Sequence, residues 1–161
     1  MGVIFAPATG ALYAAEPGRA LKGFWDARTE ERQRALAPIA IAPPGKAWRV
    51  TASRRSTGKR IQAFIDALEG PTEILRSSSS IKFGLIAEGA ADIYPRFGDV
   101  SEWDAAAGHA ILAAAGGGLM RLDGSPVRYG RADRKFIIDG FVAYGSPAGA
   151  AETRRVLNLA S

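Results

Sequence analysis

At 161 residues, 47% of them hydrophobic, the chain is one domain's length and carries enough apolar material to bury a core. With no cysteine and one histidine it excludes a disulfide framework and sets aside a zinc cluster and Cys/His or Ser/His catalysis. Its net charge of +5 and pI near 9.9 suit anionic partners, either nucleic acid or small phosphates. The charge falls in short clusters: Arg54-Arg55, Lys59-Arg60, Arg131 to Lys135, and Arg154-Arg155. These lack interleaved aromatics, so no nucleic-acid partner is expected. The start, MGVIFAPATG, has no basic stretch followed by a long apolar one, and no run reaches a membrane span. The expectation is a soluble, cytoplasmic protein with no membrane partner.

In chain order, residues 2–15 alternate around Thr9-Gly10 and predict a β-hairpin, marginal unless other strands extend it. Gly18 to Ala37 is mixed, with a short exposed helix over Thr29–Leu36 as the local alternative to strand and loop. Ile39 to Pro44, close to Pro38, reads as a linker. The period then changes. Trp48–Ala52 predicts a strand and Ser53–Thr57 a polar turn. Lys59–Leu68 predicts a helix with Ile61, Phe64, Ile65 and Leu68 at helical spacing, ended by Gly70-Pro71. A brief strand over Glu73–Leu75, a helix over Ser80–Glu88 and a strand over Ala91–Arg96 follow. Beyond the central helix, strands are expected over Gly118–Leu122 and Phe136–Tyr144, and a terminal helix over Ala148–Ala160. The alternation argues an α/β domain with a largely parallel sheet, whose ligands belong at strand C-terminal ends. Ser53-Arg54, Ser79-Ser80 and Asp104 all fall there.

The stretch WDAAAGHAILAAAGGG, from Trp103 to Gly118, organises the rest. It predicts a buried helix stopped by glycines. Asp104 stands where an N-cap belongs, and the same position suits a metal ligand beside a phosphate.

Trp103-Asp104-Ala105-Ala106-Ala107-Gly108, closed by Ala115-Gly116-Gly117, resembles the W-D-x-A-A-G signature of the inositol-monophosphatase superfamily. Upstream, Ser77 to Gly98 is similar to the G-S-S-x-K…A-E-G…Y-P-R-F-G pattern of its 3'(2'),5'-bisphosphate nucleotidase branch. Ser79, Ser80, Lys82, Glu88, Tyr94 and Arg96 fall in register. Gly2 to Ala15 resembles the hairpin that closes the family's first half. The resemblance covers nearly the whole chain but only the C-terminal two-thirds or so of a typical member. It implies a layered α-β-α sandwich with the hairpin left from a first half. The division expected is residues 1–44 as remnant and linker, and 45–161 as the C-terminal α/β half. No D-x-x-D-G occurs here, so of the family's usual carboxylate ligands only Asp104 is present.

The resemblance implies Mg²⁺-dependent removal of the 3'-phosphate from 3'-phosphoadenosine 5'-phosphate, a step in sulfate assimilation, incomplete in this chain. Asp104 would be the metal ligand. Ser80 and Lys82 would contact the nucleotide, with Ser79 beside them; the local alternative is a capping serine run and a surface lysine. Arg96 would take a second phosphate or a purine face, or else form a structural ion pair, and Arg54 would steer phosphate. Two departures stand out: Ser78 replaces the glycine before the two serines, and Ser56 replaces a nucleotide-contacting histidine. His109 reads as structural and Glu88 as a packing or turn residue. The alternatives are an inositol or sugar monophosphatase, against which Arg96 and Lys82 argue, and a non-catalytic remnant that binds phosphorylated ligands. An exposed hairpin edge leaves a homodimer open.

Overall fold

The structure, a computed structural model, describes residues 1–26, 28–29, 31–53, 58–78 and 80–159, with backbone only for 31–34. The first four strands, β1 (Gly2–Ala6), β2 (Ala11–Glu16), β3 (Arg19–Asp26) and β4 (Glu31–Ile39), form an antiparallel sheet in that order. Period-2 alternation turns Ile4, Ala6, Ala11, Tyr13, Ala15 and Ala20 to the core, leaving Val3 and Phe5 on the outer face. Gly10, at φ +71°, makes the hairpin turn, and its N–H bonds back to the Ala6 carbonyl. The predicted hairpin is therefore present but is half of a larger sheet. The helix considered over Thr29–Leu36 does not form. β4 pairs with β3 from Ala20↔Ile39 to Asp26↔Glu31, a set of partners that outweighs the weak tendency of one short helical segment.

An irregular connection leads to β5 (Trp48–Ser53), α1 (Lys59–Asp66), β6 (Thr72–Ser77), α2 (Ile81–Ala87), β7 (Ile93–Arg96) and β8 (Val100–Ser101). Then come α3 (Glu102–Ala114), β9 (Gly118–Arg121), a 3₁₀ turn at Ala132–Arg134, β10 (Ile137–Ile138), β11 (Phe141–Tyr144) and α4 (Pro147–Val156). β6, β5, β7, β11 and β9 lie side by side in that order. β5 runs parallel to β6 and β7, but β11 runs antiparallel to both neighbours. The sheet is thus mixed, not largely parallel. The helical content of the segment between β9 and β11 is a single 3₁₀ turn, so β11 returns beside β9 without the helical crossover a parallel pair requires. The strand expected over Phe136–Tyr144 is broken as well. Phe136 takes φ +57° and Gly140 φ +123°, and the short β10 leaves to pair with β8.

One apolar cluster joins the inner face of the first sheet to α2, α3 and one face of the second, through Tyr13, Phe83, Ile111, Leu112 and Phe141. A second cluster, with Val50, Ile93, Val142, Phe64 and Ile65, packs α1 and the end of α4 on the other face. The layers are therefore the expected α-β-α sandwich with the antiparallel sheet added outside α2 and α3. Below β5 and β7, the buried Asp92 carboxylate takes two bonds from the Arg49 guanidinium (3.1 and 2.7 Å) and one from its N–H (2.8 Å). A charge that deep is tolerable only when paired this fully. Among the described residues no helix is long and apolar enough to cross a membrane.

Candidate phosphate-binding site

β5, β6 and β7 run parallel, and their C-terminal ends meet the starts of α2 and α3. There a cavity of about 300 Å³ opens, lined by Ser53, Ser80, Lys82, Phe83, Tyr94, Arg96, Val100, Asp104 and Phe141. Four side chains singled out in the sequence therefore share one wall system: Ser80, Lys82, Arg96 and Asp104. Arg54 and Ser79 lie outside the described residues, as does Ser56. Ser53, the residue before Arg54, does line the cavity.

Lys82 is no surface lysine. It is 6% exposed, in the first turn of α2. Its Nζ donates to the Tyr94 hydroxyl at 3.3 Å and lies 4.4 Å from the centre of that ring. Tyr94, Phe83 and Phe141 hold one another edge-on or stacked at 5.3 to 5.6 Å, a rigid aromatic floor. Burial, and secondarily the Arg96 charge, pushes the Lys82 ammonium down from 10.5 to about 8. A cation kept short of solvent and of a carboxylate partner is arranged to receive an anion. Burial likewise raises the Tyr94 hydroxyl, so it stays a neutral donor.

Ser80 occupies the position before α2 but makes no cap bond with its side chain. Its hydroxyl donates instead to the Asp104 carbonyl across the gap, at 3.3 Å. Asp104 is not the N-cap of α3. The helix begins at Glu102 after Ser101, so Asp104 is its third residue, exposed, at the positive end of the helix dipole. The Glu102 carboxylate turns away to accept the N–H groups of Gly130 and Arg131 (2.6 and 3.0 Å). Arg96 ends β7 at the cavity lip, steadied by the Asp99 carbonyl at 3.1 Å. It makes no ion pair with a described residue.

Tyr94 is the residue that sequence reasoning passed over. Strand alternation within YPRFG was the available signal, because it puts Tyr94 and Arg96 on the same face. Glu88 does not line the cavity; it pairs with Lys22 of β3 and, with burial, raises the Tyr13 hydroxyl. His109 does not line it either. Its Nδ1 meets the Tyr129 hydroxyl at 2.9 Å, and burial lowers its affinity for a proton.

As a metal site the donor set is thin. Among the described residues Asp104 is the sole carboxylate lining the cavity, and it shares that lining with two cations, Lys82 and Arg96. No group of three metal-binding side chains occurs among the described residues. Mg²⁺ binds through one or two carboxylates together with substrate phosphate and water. Asp104 suits one such ligand. These residues alone do not enclose an ion.

The fold is an α/β sandwich with a cavity at its strand ends, and comparison with known proteins gives its family. The inositol monophosphatase family model matches residues 1–155, so the chain belongs to that family. It is 39% identical over 145 residues to the 3'(2'),5'-bisphosphate nucleotidase CysQ of Buchnera aphidicola, covering 89% of this chain and 51% of that protein. With CysQ of Escherichia coli K12 the identity is 34% over 129 residues, covering 80% of this chain and 48% of that one. The chain thus spans about half the length of these curated relatives. The crystal structure of CysQ from Bacteroides thetaiotaomicron superposes with a TM-score of 0.74 at 31% identity, over 89% of this chain and 56% of that one. The inositol monophosphatase from Anabaena, with a TM-score of 0.60 at 19% identity, shares the fold. The family acts on small phosphorylated substrates and is generally metal-dependent.

Proposed function

We propose that this chain binds the phosphates of a bisphosphate nucleotide, of the type of 3'-phosphoadenosine 5'-phosphate, for metal-dependent removal of the 3'-phosphate. The observation that carries the reading is the convergence of Ser80, Lys82, Arg96 and Tyr94 on one cavity, with Asp104 at its edge. The roles follow from the groups. Lys82 and Arg96 supply charge-assisted hydrogen bonds to phosphate oxygens, Arg96 as a planar fork and Lys82 as a buried point charge. The Ser80 and Tyr94 hydroxyls fill the remaining acceptor positions, and the aromatic floor keeps water out, which strengthens each of these interactions. Asp104 would hold Mg²⁺ together with a phosphate oxygen; the ion would supply the charge that polarises the phosphoryl group. Relatives named as CysQ at 34 and 39% identity support the nucleotide over an inositol phosphate.

The test is phosphate release from 3'-phosphoadenosine 5'-phosphate, with inositol 1-phosphate as competitor. Release should require Mg²⁺ and fall about 100-fold in Asp104→Asn. Release that is indifferent to Asp104, or a preference for the inositol ester, would overturn the nucleotidase assignment. Tight binding without release would favour a second reading, a module that binds phosphorylated ligands; what favours it is that the described lining residues include one carboxylate, Asp104.

A further inference from the structure

The chain leading out of β9, from Arg121 to Lys135, carries five basic side chains against two acidic ones. The Lys82 cavity uses none of them. Four of the five, Arg121, Arg128, Arg131 and Arg134, meet around a separate hollow of about 290 Å³, with Ile137 and Ile138 in its wall. Hollow and cavity share no lining residue, yet they are neighbours. Ile138 of the one pairs with Val100 of the other across the β10–β8 ribbon.

Backbone contacts fix these arginines in place. The Arg121 N–H donates to the Ser125 carbonyl and the Gly124 N–H to the Arg121 carbonyl, both at 2.9 Å, closing a tight turn. Glu102 pins the N–H groups of Gly130 and Arg131, and the buried Val127 and Ile138 anchor the segment at either end. Lys135 and Phe136 then take φ of +53° and +57°, left-handed values that residues other than glycine rarely adopt. A segment held this firmly presents its side chains with little further loss of freedom on binding.

The local carboxylates leave part of the charge uncompensated. Arg121 holds both oxygens of Asp139 (2.6 and 2.8 Å), and Arg131 both oxygens of Asp133 (2.9 and 2.6 Å). Arg134 comes no closer than 3.9 Å to Asp139, and Arg128 makes no ion pair with a described residue. Asp123, the one carboxylate among the described lining residues, accepts the hydroxyl and N–H of Ser125. Two guanidinium groups therefore border a concave surface without a close counter-charge. A lone surface arginine is simply solvated. Two of them beside two paired arginines raise the local positive potential, which a compact anion of two or more charges offsets best. A phosphoryl group brings three acceptor oxygens that separate guanidinium forks can share, against two on a carboxylate.

We infer that the Arg128–Arg134 hollow is a second anion site, distinct from the Lys82 cavity, for a small molecule with two adjacent phosphoryl groups. It goes beyond the proposed function and stands without it, since no residue of the Lys82 cavity takes part. Arg128 and Arg134 are both exposed, so their replacement leaves the core untouched.

The probe is inorganic pyrophosphate, titrated by calorimetry at low salt into the full chain carrying Lys82→Met, which silences the other cavity. Pyrophosphate should still bind, and at least tenfold more tightly than inorganic phosphate. Adding Arg128→Gln and Arg134→Gln should weaken it about 30-fold. Arg128→Lys with Arg134→Lys keeps the charge but loses the forks, and should still weaken it about tenfold. In the wild-type background the glutamine pair should remove this site and leave the affinity of the Lys82 cavity for inorganic phosphate unchanged. Pyrophosphate binding that the glutamine pair does not alter in either background, or that the lysine pair retains in full, would overturn the site. So would the absence of pyrophosphate binding to Lys82→Met. Phosphate binding lost from wild type while pyrophosphate still depends on the two arginines would sink the proposed function alone and leave this site standing.

Discussion

Replacing Lys82 by methionine should make the protein more stable and nearly blind to phosphate. The lysine is buried with no carboxylate beside it, and its pKa is depressed from 10.5 to about 8. The unfolded chain therefore holds that proton more tightly than the native one does. Below pH 8 both states are protonated and the native state bears the full cost. Between pH 8 and 10.5 the native lysine has shed its proton, the unfolded one has not, and stability climbs with pH. Lys82→Met keeps most of the apolar stem, removes this cost and flattens that part of the stability profile. A gain of about 2 kcal/mol at pH 7 is expected, less than the full shift because the Tyr94 contacts are lost. Phosphate affinity should fall about 30-fold with the loss of one charge-assisted contact. In wild type the same affinity should weaken as pH rises through about 8 and Lys82 becomes neutral. Chemical denaturation across pH 6 to 10, paired with phosphate titrations, reads both effects. A destabilised Lys82→Met protein, or one that binds phosphate normally, would show that the lysine serves packing alone.

Gly108→Ala should have the largest effect on the fold. A Cβ at that position would sit 2.2 Å from Cδ2 and 2.4 Å from Cγ of Phe83, where α3 crosses α2. Phe83 has no room to retreat: it is 1% exposed and held by Tyr94 and Phe141. Alanine favours a helix over glycine by about 1 kcal/mol, but overpacking this contact should cost more, for a net loss of about 2 to 3 kcal/mol. Phosphate binding should suffer as well, because Phe83 lines the cavity. Gly45→Ala, whose added Cβ would meet no atom within 4 Å, is the control and should be neutral. The denaturation midpoints of the two variants decide it. Equal midpoints would contradict the close helix crossing.

Those two residues mark the boundary of what the sequence could tell. The central helix was legible because its signals are local: an apolar run, and a Gly116 that takes φ +98° just past the end. Its start was misplaced by three residues because Asp104 is as good a capping residue as Ser101 on composition, and Glu102 proved to be inside the helix. β4 was not legible, since its partner β3 is what decides strand over helix. The direction of β11 was not legible either; a connection without a helix permits an antiparallel return but does not announce it. At the cavity, the resemblance to the family's motifs singled out Ser80, Lys82, Arg96 and Asp104. It could not reveal that Lys82 is buried under Tyr94, because that follows from the crossing of α2 over β7 rather than from any local pattern.

The most direct test of the account is where a nucleotide's phosphates land. Titrating the isotopically labelled chain with adenosine 3',5'-bisphosphate and following its backbone amides by NMR answers this without requiring turnover. The account predicts saturable shifts concentrated at Ser80, Lys82, Tyr94, Arg96 and Asp104. Shifts centred instead on the arginine-rich segment from Arg128 to Arg134, with the Lys82 cavity silent, would contradict it.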